Sequence, residues 1–144
     1  MSYDIYLKDP VTDQTVEFDA SHQMRGGTYC IGGTTEAWLN VTYNYGVFYS
    51  RVFEPRYNPD HEYAEHNPKV AKKYGRELGY LYGIRSIYGL TGAESIPVLE
   101  RAISMLGDDS NPDYWEPTEG NAKKPLCQLL AMAKMRPDGV WDGD

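Results

Sequence analysis

The stretch YDIYLKDPVTDQTVEF, residues 3–18, decides how the rest of the chain is read. Tyr3, Ile5 and Leu7 alternate with Asp4, Tyr6 and Lys8, the period of two that puts apolar side chains on one face of a half-buried strand. DPVTDQ then reads as a turn, because Pro10 presets φ and the flanking aspartates favour turn starts, and Val16 and Phe18 resume the apolar pattern. A β-hairpin is expected. TYCI (28–31) and EAWLNV (36–41) are further strand-like runs, joined by Gly32-Gly33-Thr34-Thr35, and predict a second hairpin. Gly26 and Gly27 are expected where φ is positive or another backbone comes close.

From Asn44 the period lengthens. NYGVFYSRVF (44–53) spaces Phe48 and Val52 by four, with Asn44 as the expected N-cap of a short helix. EPRYNPDHEYAEHNPK (54–69) carries three prolines, and residues 54–83 are expected to form an insertion or variable excursion. Within it, KVAKKYGRELGYLYG (69–83) places Val70, Tyr74, Leu78 and Leu81 on one helical face, yet Gly75, Gly79 and Gly83 recur every four residues. Each interior glycine costs a helix about 1 kcal/mol, so the row fits either a face packed closely against the core or a second copy, or a frayed helix. TGAESIPVLERAISMLGDD (91–109) carries a stripe of Ile96, Leu99, Ile103 and Leu106, with Thr91 and Glu94 at capping-box spacing and Gly107 at the expected C′ position. In TEGNAKKPLCQLLAMAKMRP (118–137) the stripe is Leu126, Leu129, Leu130 and Ala133, with Thr118 as cap and Pro137 as stop. Trp141, in DGVWDGD (138–144), is expected to dock its ring. The order predicts one α+β domain over residues 1–144: two N-terminal β-hairpins forming a small antiparallel sheet, covered by three or four C-terminal helices.

The chain has 144 residues, 41% of them hydrophobic, with 13 tyrosines. That suffices for a single core. Fourteen Lys and Arg against 21 Asp and Glu give a net charge of −7, which disfavours nucleic acid and anionic lipid and suits a basic partner surface. Cys30 and Cys127 show no CxxC spacing and are expected to be buried free thiols. MSYDIYLKD has neither a basic nor an apolar signal region, and no run approaches 18 apolar residues, so a cytoplasmic protein without membrane contact is expected.

Catalytic signatures are missing. DHEYAEH (60–66) has Glu where HExxH and HxxEH need a second histidine. His22, His61 and His66 make no local motif with either cysteine, and neither GxxxxGK[ST] nor GxGxxG occurs. No catalytic residue, metal or cofactor is assigned. Two binding sets remain. Arg25, Tyr29, Tyr43, Asn44 and Tyr45 combine charge, stacking rings and a helix N-terminus in a way that suits a nucleotide. Asp108, Asp109, Trp115, Glu116, Trp141 and Asp142 offer exposed-looking aromatic anchors in an acidic rim, as a basic protein surface would require.

The blocks HQMRGGTY, GGTTEAWLNVTYNYG, GIRSIYGLTGAESIPVLERAISMLGDD and YWEPTEGNAKKPLCQLLAMAKMRPDGVWDGD cover most of the chain outside residues 54–83. Through them the sequence resembles a family of small uncharacterised proteins of phages, prophages and mobile elements in Gram-positive bacteria. The resemblance carries over no catalytic residue. It implies an accessory protein in the host bacterial cytoplasm that acts against immunity or adjusts host replication, transcription or packaging. With the charge, it leads to the expectation of a non-enzymatic, anti-CRISPR-like inhibitor that binds a host defence protein or ribonucleoprotein, blocking a basic nucleic-acid groove or subunit contact. The alternatives are a sponge for a nucleotide immune signal, acting as a homo-oligomer, and a small metal-dependent enzyme built around His61 and His66.

Overall fold

The alternation in residues 3–8 is realised in three dimensions: Ile5 and Leu7 are fully buried, whereas Asp4, Tyr6 and Lys8 keep partial contact with solvent. The computed structural model describes residues 1–23, 25–26 and 33–144. In chain order the elements are strands β1 (Ser2–Lys8), β2 (Glu17–His22), β3 (Thr34–Glu36) and β4 (Trp38–Thr42), helix α1 (Gly46–Val52), strand β5 (Arg56–Tyr57), helix α2 (Pro68–Tyr74), strand β6 (Tyr80–Leu81), helices α3 (Gly92–Ser104) and α4 (Glu119–Met135), and strand β7 (Val140–Gly143). Short 3-10 turns occupy Tyr43–Tyr45 and Gly83–Ile87. The chain thus forms the expected α+β class, with β4-β1-β7 as its antiparallel sheet and two-stranded ribbons β2-β3 and β5-β6 beside it.

Strand pairing departs from simple hairpins. The turn after β1 forms as expected, with the Asp9 carboxylate accepting from the N–H groups of Val11 (2.8 Å) and Thr12 (3.1 Å). Only the mouth of that hairpin pairs, through Lys8 and Thr15 and the Val16 N–H to the Leu7 carbonyl at 2.9 Å. The long edge of β1 is taken by β4, with Tyr3 opposite Val41 and Ile5 opposite Leu39, and β2 diverges to pair with β3. TYCI, with Cys30, Gly27 and Gly32, lies outside the described residues. Gly26 marks a close approach: a Cβ there would stand 2.7 Å from the Pro125 Cβ of α4.

Helices α3 and α4 pack along each other and cover the sheet. Leu99, Ala102, Leu126, Leu129 and Ala133 join Ile5, Leu7, Leu39 and Val41 in one core. The Thr91–Glu94 capping box opens α3, with Pro97 carried inside the helix; the helix ends at Ser104 with Met105 as its C-cap, short of Gly107. Thr118 caps α4 through the Asn121 N–H. Before α1 the cap is Thr42, whose hydroxyl accepts from the Asn44 N–H at 3.2 Å, so Asn44 sits inside the turn instead of capping it. Cys127 is exposed on α4, contrary to the buried thiol expected. No helix among the described residues is long and apolar enough to cross a membrane.

Polar contacts tie residues 54–83 to the rest of the protein, and Ala64 and Leu81 join its core. The Arg56 guanidinium donates to the Ser86 carbonyl (2.7 Å) and to that of Tyr88, and His61 meets Asp142 of β7 at 2.8 Å. The helix expected over 69–83 stops at Tyr74, because Gly75, Gly79 and Gly83 all take left-handed φ values of 64°, 83° and 62°. These glycines are a C-cap and two turn residues, not a packed helix face, and Leu81 reaches the core from strand β6 instead.

Substitution separates the two accounts. Gly79→Ala forces an unfavourable φ and brings a Cβ within 2.7 Å of the Tyr57 ring, whereas Gly75→Ala meets nothing within 4 Å. Equilibrium denaturation should show a loss of about 1 kcal/mol for Gly75→Ala and about 2–4 kcal/mol for Gly79→Ala. A continuous helix would instead gain about 1 kcal/mol from either change.

Candidate functional site

The residues between α3 and α4 form a surface loop, 107–117, whose backbone is held by a buried asparagine. Asn121 is fully buried in the first turn of α4. Its carbonyl oxygen accepts from the Asn111 N–H (3.0 Å), and its amide nitrogen donates to the carbonyls of Asp113 (3.0 Å) and Glu116 (3.1 Å). Side-chain turns tighten the same segment, with Asn111 accepting from the Asp113 N–H at 2.8 Å and Asp113 from the Trp115 N–H at 3.0 Å. Gly120 lets α4 reach the loop, donating to the Asp109 carbonyl at 2.9 Å where a Cβ would lie 2.4 Å from Ser110 Oγ.

Tyr114 fastens this loop to the sheet. Its ring is buried, its hydroxyl oxygen accepts from the Thr42 N–H at 2.8 Å, and its carbonyl accepts from the Tyr45 hydroxyl. Burial raises the pKa of both phenols, so both stay protonated at neutral pH. With Tyr114 pointing inward, the next side chain points outward. Trp115 is 46% exposed, its carbonyl accepting from the Asn44 side chain at 2.8 Å. The Arg25 guanidinium stands 5.1 Å from the centre of the Trp115 ring and 5.4 Å from that of Tyr114, within cation–π range.

The two predicted binding sets are therefore redistributed. Arg25 and Asn44 from the first join Trp115 and Glu116 from the second in one surface cluster. Asp108 and Asp109 are exposed at the other end of the same loop. Asp108 pairs with Lys123 at 2.7 Å, and that hydrogen bond lowers its pKa. Tyr45 belongs to the core, fully buried, and presents no open stacking face. Tyr43 turns the other way: its hydroxyl accepts from Arg85 at 3.1 Å and its ring meets Tyr3 edge-on at 4.6 Å. Tyr29 lies outside the described residues.

Trp141 and Asp142 do not act as surface anchors. Trp141 is 1% exposed, its indole N–H donating to Ser95 Oγ at 2.7 Å; the docked ring is as expected, the exposed-looking one is not. Asp142 is occupied by Lys8 at 3.0 Å and His61 at 2.8 Å. His61 Nδ1 accepts from the Tyr63 N–H at 3.1 Å, which assigns the ring proton to Nε2, facing Asp142. Both ring nitrogens of His61 are thus engaged. His66 Nε2 contacts the His61 carbonyl at 2.9 Å, and no group of three metal-ligating side chains comes together among the described residues.

Sequence reasoning missed Asn121, Tyr114 and Arg85. Asn121 carries no local signal, because its partners are main-chain groups brought close only by the loop. Arg85 does carry one: it is the lone charge in the apolar run YLYGIRSIYGL. No protein-family model, curated protein or solved structure matches the chain.

Asn121→Ala should destabilise the protein by about 2–3 kcal/mol, since it strips partners from three main-chain groups; denaturation measures the loss, and hydrogen exchange should rise within residues 111–116. A second expectation concerns pH. Burial works to raise the Asp142 carboxyl, but hydrogen bonds from His61, the Gly143 N–H and Lys8 outweigh it and lower its pKa. A folded-state pKa below the unfolded one gives stability that is present above about pH 4 and lost as pH falls through the folded value. Asp142→Asn should therefore be less stable than the parent at neutral pH, the gap narrowing below about pH 4 in parallel denaturation series.

Proposed function

We propose that the chain is a non-enzymatic accessory protein that docks its 107–117 loop on a basic surface of a bacterial defence component, in the manner of an anti-CRISPR that occupies a nucleic-acid groove. One observation carries the reading: a half-exposed tryptophan stands in an acidic loop whose backbone is already fixed by Asn121 and Tyr114. Ordering a loop on binding costs free energy, and a loop ordered beforehand avoids that cost. Trp is among the side chains most often found as an interface anchor. Asp113 and Glu116 stand exposed beside it in the chain and Asp109 at the other end of the loop, and the net charge of −7 steers the protein toward positive surfaces and away from nucleic acid itself. The resemblance to phage and mobile-element proteins points to a bacterial host as the place to look.

The test is a pull-down from a host lysate with the parent chain and with two variants, Trp115→Ala and the combined Asp109→Lys, Glu116→Lys. The parent should retain a nucleic-acid-binding protein that added DNA or RNA and raised salt displace. Each variant should weaken retention about thirtyfold or more while keeping the parent's circular dichroism. A partner held equally by parent and variants would reject the docking role of this loop.

A further inference from the structure

A second site lies where residues 54–83 meet the rest of the protein. A cavity of about 110 Å³ opens between β1, α1, the turn around Tyr63, and the segment leading from α2 into the second 3-10 turn. Its walls carry two guanidinium groups, Arg76 and Arg85, the carboxylate of Glu65, and the rings of Tyr3, Tyr63 and Tyr82. On a chain of net charge −7, this is a local concentration of cationic and aromatic groups.

Arg85 is positioned but not saturated. Its Nε donates to the Asp144 main-chain oxygen at 2.8 Å and its Nη2 to the Tyr43 hydroxyl at 3.1 Å. Those bonds use two of the five donors on the guanidinium. Its plane is gripped by the rings of Tyr63 (4.7 Å), Tyr3 (5.2 Å) and Tyr43 (5.7 Å). Arg76 stands 5.0 Å from the Tyr82 ring. Glu65 lines the same cavity, and its Oε1 is buried without a hydrogen-bond partner. A buried acceptor left unpaired costs free energy that a suitable donor would return.

We propose that this cavity binds a nucleotide. The two arginines suit a phosphate, which guanidinium groups recognise through paired N–H donors. The carboxylate of Glu65 repels a phosphate but accepts from a sugar hydroxyl, as an acidic residue does toward ribose in dinucleotide sites. The ligand thus needs an anion and a hydroxyl donor side by side, which a ribose phosphate supplies. The volume is that of about four waters, enough for the phosphate and the sugar edge. The base stacks at the rim, where Tyr63 is 40% exposed. This site shares no residue with the 107–117 loop and stands or falls independently of the docking reading.

Calorimetric titration of the full chain with AMP, ribose 5-phosphate, inorganic phosphate and adenosine tests the assignment. AMP should bind at least tenfold more tightly than inorganic phosphate, with ribose 5-phosphate between them and adenosine weakest. Arg76→Gln, at an exposed position, should weaken AMP and inorganic phosphate alike. Glu65→Gln should weaken AMP and ribose 5-phosphate about tenfold and leave inorganic phosphate unweakened. The proposal is overturned if no probe binds at millimolar concentration, if AMP binds no better than phosphate, if Glu65→Gln leaves AMP binding unchanged, or if an α-amino acid such as glycine binds the parent chain more tightly than ribose 5-phosphate.

Discussion

Strand β1 has neighbours on both edges, and most of the fold follows from what those neighbours bring. On one side Leu39 of β4 sits opposite Ile5; on the other, Trp141 of β7 sits opposite Leu7 and Gly143 opposite Ile5. The second pairing demands glycine, because a Cβ at Gly143 would fall 2.3 Å from the Asp4 carbonyl. It also delivers the indole of Trp141 to Ser95, whose hydroxyl in turn donates to the Gly92 carbonyl at 2.8 Å. Main-chain bonds complete the seam, with the Gly89 N–H on the Trp141 carbonyl and the Trp141 N–H on the Leu90 carbonyl. Sheet, β7 and the start of α3 are thus locked by one tryptophan and its surroundings.

The tyrosines divide by what their hydroxyls meet. Tyr45, Tyr49 and Tyr114 are buried, and each finds a main-chain partner: Tyr45 on the Tyr114 carbonyl, Tyr49 on the Ala122 carbonyl at 2.9 Å, Tyr114 on the Thr42 N–H. Edge-on contacts of 6.3 Å and 5.7 Å join Tyr45 to the other two. These rings carry apolar bulk while their oxygens tie loops to helices. A second group, Tyr3, Tyr43 and Tyr63, surrounds Arg85. A sequence counting of aromatic residues merges these two populations, which occupy different places and do different work.

Period and caps were legible where neighbours in sequence decide them: the Ile5/Leu7 face, the Thr91–Glu94 box, the Thr118 cap and the apolar stripes of α3 and α4. The pairing of β1 with β4 and β7 was not, because it depends on contacts between distant segments. The glycine row of 75–83 misled for a specific reason. A spacing of four matches a helix face, but Gly75 is the left-handed C-cap of α2, and Gly79 and Gly83 take positive φ on either side of strand β6. For the candidate site, the sequence names Arg25, Asn44, Trp115 and Glu116 in two separate sets, and their meeting on one surface rests on the loop that Asn121 holds, a residue with no sequence mark. Trp141 was legible as a docking ring, and its burial removes it from the surface set.

The Asp4 N–H donates to the Asp144 carboxylate across a separation of 140 residues, and that distance has a consequence during synthesis. At about 5–20 residues per second, β1 leaves the ribosome roughly ten seconds before β7 exists. Throughout that interval the edge of β1 that carries Ile5 and Leu7 toward β7 is an unpaired template of N–H and C=O groups, open to any other extended chain. The nascent chain therefore stays open to misassociation along this edge until β7 has been made. Any process that slows translation through residues 120–140 lengthens that exposure and should raise the share of chains that aggregate or recruit a chaperone.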